Sequence, residues 1–273
     1  MDDQQIEKEK ALREGLVRLG SAVIAFSGGV DSTYLLAEAQ EALGDRAAAV
    51  TLRLSSMPEK ELAEAVSFCR KRGIRHEILD IDQFSIPGFQ DNPRDRCYRC
   101  KRFLFARLKQ WAEDRGIPAV ADGTNRDDES GYRPGLRALA EIGILSPLRD
   151  AGLGKEDIRA LSKKAGLPTW KKPAFACLAT RFPYGERLTE EKLRRVEAAE
   201  NFLFDRGMTQ LRVRAHGDLA RIEALPEEME RLLSLRRETD ACFRRLGFSY
   251  VTMDLAGYRT GSMDETAGKK PSV

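Results

Sequence analysis

One segment, Ser-Gly-Gly-Val-Asp-Ser at residues 27–32, combines residue types that suit the binding of a phosphate chain. Gly28 and Gly29 permit backbone conformations and a close approach that a Cβ atom would block. The exposed N–H groups and the start of the following helix would then point at an anion. The flanking serines add hydroxyl donors, and Asp31 can hold Mg²⁺. We call this segment the phosphate loop; the structural alternative is a glycine turn capped by one of its polar side chains.

Three of the five cysteines form a second candidate group: Cys97, Cys100 and Cys177. Cationic neighbours such as Arg96 and Arg181 would favour their thiolate forms. Three thiolates are one ligand short of an ordinary zinc site, but they suit a [4Fe–4S] cluster that keeps one iron open. For Cys97 and Cys100 alone, two incidental thiols or a redox pair remain the alternatives.

Arginines form the third candidate group. Arg212 and Arg214 alternate on a predicted strand, so both guanidinium groups would face one side and could each bind a phosphate or carboxylate. A solvated strand face is the alternative reading of this pattern. Arg181 and Arg259 are further candidates for anion binding. The roles of three acidic residues stay open: Asp128, Glu200 and Glu223.

Strands and helices alternate along the first part of the chain, which predicts an α/β fold with a parallel sheet covered by helices. The predicted strands are 21–26, 47–54, 78–81 and 119–121. The predicted helices are 6–19, 33–43, 58–72, 100–115 and 155–165. Ligands of such sheets bind at the carboxyl ends of the strands. The phosphate loop lies at one such end, and four residues lie at another: Asp122, Gly123, Thr124 and Asn125.

A polar, proline-marked stretch predicts a division into a domain of residues 1–173 and a smaller α+β domain of residues 174–273. In the second domain the predicted helices are 189–206 and 226–246, and the predicted strands are 211–215, 219–224 and 249–254. A polar tail follows from residue 261. Cys177 stands near the start of this second domain.

The composition excludes several classes of protein. The 273 residues include 46 basic and 43 acidic side chains, and a net charge of +3 is too small to require a nucleic-acid partner, with a local basic patch as the open alternative. No stretch approaches the roughly 18 apolar residues of a membrane helix, and no signal core is present. We therefore expect a cytoplasmic protein whose cysteines stay reduced.

Residues 27–32 resemble the PP-loop of GMP synthetase, NAD synthetase, asparagine synthetase and the thiolating enzymes, and residues 122–125 resemble the second nucleotide-side segment of that group. This resemblance implies a Rossmann-like domain of the adenine nucleotide alpha hydrolase type. It also implies that ATP is split to AMP and pyrophosphate while a substrate oxygen attacks the α-phosphate. Ser27, Gly28, Gly29, Asp31 and Ser32 would bind ATP, with Mg²⁺ on Asp31.

Longer strings of the sequence resemble the LarE family over residues 10–258. The matching strings are 122–125, Asp127 and Asp128, 132–135, 146–148 and 177–185. The resemblance implies an ATP-dependent sulfur transferase that adenylates the carboxylates of pyridinium-3,5-biscarboxylic acid mononucleotide. It then converts them to thiocarboxylates for the nickel-pincer cofactor of lactate racemase. Arg212 and Arg214 match the phosphate-binding pair of the family, and hexamers are expected.

The family has two branches, which differ in the source of sulfur. In one, the cysteine that matches Cys177 gives up its own sulfur; in the other, a cysteine pair joins it to hold a [4Fe–4S] cluster. The presence of Cys97 and Cys100 makes this sequence resemble the cluster branch. The open alternatives are sacrifice of Cys177, a PP-loop tRNA thiolase and a non-catalytic nucleotide sensor.

Overall fold

The computed structural model describes residues 3–129, 134–173, 176–259 and 261–263. The matching residues Tyr132 and Arg133, the predicted domain start at residue 174 and residues 264–273 of the polar tail lie outside this part of the chain. No helix among the described residues combines the length and the apolar character needed to cross a bilayer.

The chain divides into two compact units. The first consists of Met1–Pro87 and Asp95–Phe175, and the second of Gly88–Arg94 and Ala176–Val273. Asn92, which is buried with a φ of 49°, donates through its side chain to the carbonyl oxygen of Pro183 at 2.7 Å and ties the early segment to the second unit. The predicted boundary at residue 173 included no such early segment, and it stays a prediction about domains.

The first unit contains a four-stranded parallel sheet, which confirms the predicted α/β class. Its strands are β1 Ala22–Ala25, β2 Ala47–Arg53, β3 His76–Asp80 and β4 Ala119–Ala121, in the order β3-β2-β1-β4. The chain adds β2 and β3 on one side of β1 and then returns to place β4 on the other side. The point between β1 and β4 is therefore the topological switch point, where such sheets open a crevice at their carboxyl edge.

Seven helices belong to the first unit. They are α1 Asp3–Leu19, α2 Val30–Leu43, α3 Glu59–Arg72, α4 Arg96–Glu113, α5 Pro134–Ile142, α6 Pro147–Asp150 and α7 Lys155–Lys164, counted over the described residues only. The core between α1, α2, α7 and the sheet is built from alanine, leucine and isoleucine side chains. Small alanines on β1, β2 and β4 let α2 lie close against the strands.

Helix α1 starts at Asp3 rather than at residue 6, and two further helices, α2 and α4, also begin earlier than the sequence pattern predicts. Helix α2 starts at Val30 because Gly29 is extended and can act as the N-terminal cap, so Asp31 and Ser32 lie in the first turn rather than in a loop. Helix α4 starts at Arg96, which places Cys97 and Cys100 one turn apart on it. Both first turns are polar, and the apolar periodicity that predicts helices begins only after them.

The second unit has a three-stranded sheet of β5 Leu211–His216, β6 Leu219–Ala224 and β7 Tyr250–Met253, in which β6 lies between antiparallel β5 and parallel β7. Its helices within the described chain are α8 Glu190–Phe204, α9 Met229–Ser234 and α10 Arg236–Arg245. Helix α8 is capped by Thr189, which accepts a hydrogen bond from Lys192 N at 3.2 Å.

The predicted single helix at 226–246 is wrong. Leu235, with φ −84° and ψ 0°, ends α9 and precedes α10, and residues 226–228 form a separate 3₁₀ turn. The break lets Leu232 of α9 and Phe243 of α10 both be buried. Phe243 then packs against Phe202 and Phe248, at ring distances of 6.3 and 5.8 Å.

Gly123, which follows β4, packs on the first turn of α2 at the switch point. A Cβ atom at this position would lie 2.9 Å from Ser32 N and 3.2 Å from Ser32 Cα. Because both are backbone atoms, no flexible side chain can move away to make room. The segments that follow β1 and β4 carry the residues predicted to bind the nucleotide. These two segments are thus in direct backbone contact.

We expect Gly123→Ala to lower the free energy of unfolding by about 1–3 kcal/mol, because the added methyl group forces the phosphate loop to shift. Urea denaturation measures this loss. Gly15→Ala on α1 is the matched control: its Cβ would meet no heavy atom closer than 3.8 Å, so the change should stabilise the helix by about 0.5–1 kcal/mol. A Gly123→Ala protein as stable as the parent would contradict the contact.

Candidate active site

The phosphate loop turns sharply between β1 and α2. Gly28 has a φ of +74°, and a Cβ there would lie 3.3 Å from Ala65 Cβ on α3, so the position requires glycine. The hydroxyl oxygens of Ser27 and Ser32 lie 3.1 Å apart. The first N–H groups of α2 have no partner within the helix, and they emerge beside these hydroxyls. Such an arrangement can bind a phosphate group.

Asp31, in the first turn of α2, carries an energetically unfavourable charge. Burial, and next the nearby carboxylate of Asp128, raise the pKa of Asp31 to about 6, although Lys155 opposes the shift. Lys155 is also within 3.5 Å of an oxygen of Asp128. A second cation beside Asp31 would relieve its charge further, which suits a Mg²⁺ ligand.

The residues after β4 form a buried hydrogen-bonded turn. Asp122 accepts hydrogen bonds from the hydroxyl groups of Ser146 and Thr124, so its carboxylate is used within the fold. Asn125 is fully buried, and its Oδ1 accepts from Asp127 N at 2.9 Å. Its Nδ2 makes no hydrogen bond of good geometry among the described residues, although the amide lies close enough to Asp31 to lower the pKa of that carboxyl group. A buried donor of this kind can be satisfied by an acceptor on a bound ligand.

Lys172 reaches the phosphate loop, although the sequence pattern did not point to it. Its Nζ donates to the carbonyl oxygen of Gly28 at 3.1 Å and pairs with Glu61 at 2.8 Å and Glu64 at 2.7 Å, both on α3. Arg159 donates to the carbonyl oxygen of Lys172 at 2.9 Å and fixes the backbone there. In the sequence, Lys172 is marked only as the second lysine of a pair that precedes a proline. This local pattern does not reveal that it contacts Gly28, which is distant in the sequence.

The three candidate cysteines form no disulfide bond, and they belong to different units. Cys97 is exposed and Cys100 half-buried at the start of α4 in the first unit, whereas Cys177 is exposed in the second. Among the described residues, no group of three or more histidine, cysteine or acidic side chains is arranged to hold a metal ion. The first two thiols do share one helical turn, as a pair of ligands to one group requires.

In the second unit, Arg181 is hydrogen-bonded to the backbone of the segment that contains Cys177. Its side chain is fully buried, and it forms two hydrogen bonds of 2.9 Å with Glu200. Its remaining nitrogen donates to the carbonyl oxygens of Ala176 at 2.9 Å and Cys177 at 3.3 Å. All these contacts are internal, so Arg181 and Glu200 fix the backbone that presents the exposed Cys177 thiol.

Arg214 forms a second buried ion pair beside this segment. It pairs with Glu223 at 2.9 Å and donates to the carbonyl oxygen of Thr180 at 3.1 Å and to Ser262 Oγ at 3.0 Å. Glu223 also accepts from Arg221. Arg214, which the sequence suggested as a ligand for an anion, is therefore paired in this structure with a carboxylate of the protein itself.

Arg212 lies next to these pairs, and its surroundings make the charged form of its guanidinium group energetically unfavourable. The guanidinium group lies 5.2 Å from the ring centre of Tyr258 and donates to the carbonyl oxygen of Leu211. Burial, followed by the charge of Arg181, lowers the pKa of Arg212 to about 10. Arg259 is partly exposed and donates to the carbonyl oxygen of Gly257 at 3.1 Å. A bound anion would offset the charge of Arg212.

Comparisons with known proteins agree with this arrangement. Residues 21–89 match the model of the family described as queuosine biosynthesis protein QueC. The chain is 41% identical to an uncharacterized protein of Synechocystis, over 96% of this chain and 98% of that one. It is 37% identical to the pyridinium-3,5-bisthiocarboxylic acid mononucleotide synthase of Lactiplantibacillus plantarum, over 96% and 95%. A tRNA-specific 2-thiouridylase of Acidithiobacillus ferrooxidans is 31% identical over 54% of this chain and 50% of its own.

The similarity to the synthase covers both units and extends well beyond the phosphate loop. The resemblance inferred from the sequence is thereby confirmed, and the chain belongs to the LarE family of ATP-dependent sulfur transferases, within the PP-loop group of enzymes.

Proposed function

We propose that this protein adenylates the carboxylates of pyridinium-3,5-biscarboxylic acid mononucleotide and replaces one oxygen of each by sulfur. The thiocarboxylates would serve the nickel-pincer cofactor of lactate racemase. The observation that carries the proposal is the backbone contact between Gly123 and the phosphate loop, which gathers the nucleotide-binding candidates at one crevice. Similarity to a synthase of the bisthiocarboxylic acid supports the choice of substrate.

In the proposed first step, a carboxylate oxygen of the substrate attacks the α-phosphorus of ATP, and pyrophosphate leaves. Ser27, Ser32 and the first N–H groups of α2 would bind the phosphates, and Asn125 Nδ2 would donate to the nucleotide. Asp31 would hold Mg²⁺, whose charge neutralises the phosphate oxygens when it is bound. The raised pKa of Asp31 fits this role, since a cation would stabilise the ionised form.

In the second step, a sulfur nucleophile attacks the acyl carbon, the C–S bond forms, and AMP leaves with the former carboxylate oxygen. Both steps are then repeated on the other carboxylate. Cys97, Cys100 and Cys177 would hold a [4Fe–4S] cluster, because three cysteine thiolates suit a cluster that keeps one iron open. Such a cluster, when bound, would supply the sulfur nucleophile.

The second unit would recognise the anionic substrate and present Cys177. Arg212 is the strongest candidate for an anion contact, because burial disfavours its charged form and a bound anion would stabilise it. Arg214 would contribute through its position beside the Cys177 segment, and Arg259 through its partly exposed guanidinium group. Arg181 and Glu200 would act as supports, since their hydrogen bonds hold the backbone around Cys177.

Two alternative functions use the same ATP chemistry. Cys177 could donate its own sulfur, and its exposed thiol is accessible for that reaction. A tRNA thiolase is favoured by the partial similarity to a 2-thiouridylase, but the near balance of basic and acidic residues gives no indication of the extended basic surface that tRNA binding needs. Hexameric assembly and a cytoplasmic location stay predictions.

Pyrophosphate release and thiocarboxylate formation, measured together under anaerobic conditions, test the proposed function. We expect pyrophosphate release to depend on the biscarboxylate mononucleotide. Cys177→Ala should retain it while losing thiocarboxylate formation about 100-fold or more, because only the sulfur step needs the thiol. Cys242→Ala, a matched change of a half-buried cysteine on α10, should retain both.

Three outcomes would separate the alternatives. Pyrophosphate release without the mononucleotide, or only with tRNA in a salt-sensitive manner, would contradict the proposed substrate. Loss of one H₂S from the mass of Cys177 after turnover, in protein that takes up no iron, would establish sacrifice of the cysteine. An absorption band from a reconstituted cluster, with the mass of Cys177 unchanged, would establish the catalytic route.

The raised pKa of Asp31 makes the free energy of unfolding depend on pH. Its pKa in the fold, about 6, lies above the ordinary 3.8, so the stability cost of its ionisation is fully present above about pH 6 and declines to nothing as the pH falls toward 3.8. We expect Asp31→Asn to raise the free energy of unfolding at pH 7.5 by up to about 3 kcal/mol, and by roughly half as much at pH 5.

Thermal denaturation of the protein in EDTA at the two pH values measures this effect. Mg²⁺ with ATP should stabilise the parent protein at pH 7.5 and have little effect on Asp31→Asn. An equal change in stability at both pH values would contradict the raised pKa of Asp31, whereas equal stabilisation of both proteins by Mg²⁺ and ATP would contradict its role as the Mg²⁺ ligand.

A further inference from the structure

Gln83 is a fully buried amide at the carboxyl edge of the parallel sheet, just beyond β3. Its Oε1 accepts a hydrogen bond from Ser56 N at 3.1 Å, in the segment that follows β2. Its Nε2 lies 3.4 Å from the sulfur of Cys100, within hydrogen-bonding distance of that atom. The amide therefore connects the ends of two strands to one of the candidate ligand cysteines.

The orientation of this amide is fixed by its partners. Rotating it by half a turn would bring the NH₂ group against the N–H group of Ser56, and two donors would then face each other. The Nε2 donor must consequently face Cys100. A buried glutamine is unfavourable unless both ends are bonded, so the sulfur is the partner that completes its hydrogen bonding.

Cys97 has a similar neighbour. The Nη2 atom of Arg96 lies 3.9 Å from Cys97 Sγ, and the Arg96 side chain is only 3% exposed. Each thiol of the pair thus has a buried N–H donor beside it, and the two donors come from different elements. Donors of this kind stabilise negative charge on sulfur.

We propose that Gln83 is a positioning residue that holds Cys100 Sγ as a ligand and stabilises the reduced state of the group bound there. This inference rests on the proposed function, in which Cys97, Cys100 and Cys177 hold a [4Fe–4S] cluster. An N–H···S hydrogen bond favours the more negative, reduced form of a cluster and so raises its reduction potential. Gln83 also brings Cys100 to the same edge of the sheet as the phosphate loop.

The test is the reduction potential of the protein after anaerobic reconstitution with iron and sulfide, together with the rate of iron loss to a chelator. Gln83→Leu removes the donor with little change of volume, and we expect a more negative potential and iron loss about 10-fold faster. Gln83→Glu keeps the acceptor for Ser56 N but turns an oxygen toward the sulfur, so it should have a larger effect in the same direction. Gln110→Leu, an exposed amide on the same helix that bonds Asp114, is the matched control and should change neither quantity.

The results distinguish this inference from the function on which it rests. An unchanged potential and an unchanged rate of iron loss in both Gln83 variants would overturn the role of Gln83, while leaving the cluster itself in place. Failure of the parent protein to take up iron, or full retention of the cluster by Cys100→Ser, would overturn the cluster proposal and this inference with it.

Discussion

The backbone of Gly123 and the first turn of α2 lie too close together to admit a side chain. This contact joins the ends of β1 and β4, the two strands on either side of the switch point. Its consequence is chemical, because it fixes the phosphate loop, which includes Asp31, beside Asn125. The short strands and small alanines of the sheet also position the phosphate loop. They let α2 approach closely enough for its N-terminus to face the crevice.

Each unit contains a buried charged group whose pKa is shifted toward its neutral form. In the first unit, the pKa of Asp31 is raised by burial and by Asp128. In the second, the pKa of Arg212 is lowered by burial and by Arg181. In both groups the effect of burial outweighs the compensation by neighbouring charges, and groups with such shifts concentrate at functional sites. The pairs Arg181–Glu200 and Arg214–Glu223 are compensated instead, and their hydrogen bonds shape the segment around Cys177.

Local sequence patterns predicted the parallel sheet, its strands and the glycine-rich turn, because buried strands and turns each leave a signal within a few residues. The same patterns missed the starts of α2 and α4, whose polar first turns have no apolar period. They also joined α9 and α10 across Leu235, where the break depends on what each helix packs against. Lys172 and Gln83 could not be predicted as site residues, since their partners are distant in sequence.

The central claim is that the phosphate loop activates a carboxylate by transferring AMP to it, so that sulfur can replace oxygen. The most direct measurement uses the biscarboxylate mononucleotide labelled with ¹⁸O in its carboxyl groups and follows the label by mass spectrometry. Attack of a carboxylate oxygen on the α-phosphorus predicts one ¹⁸O in each AMP released with the thiocarboxylate product, and none in pyrophosphate. Label in pyrophosphate or in inorganic phosphate, or AMP without label, would contradict the account.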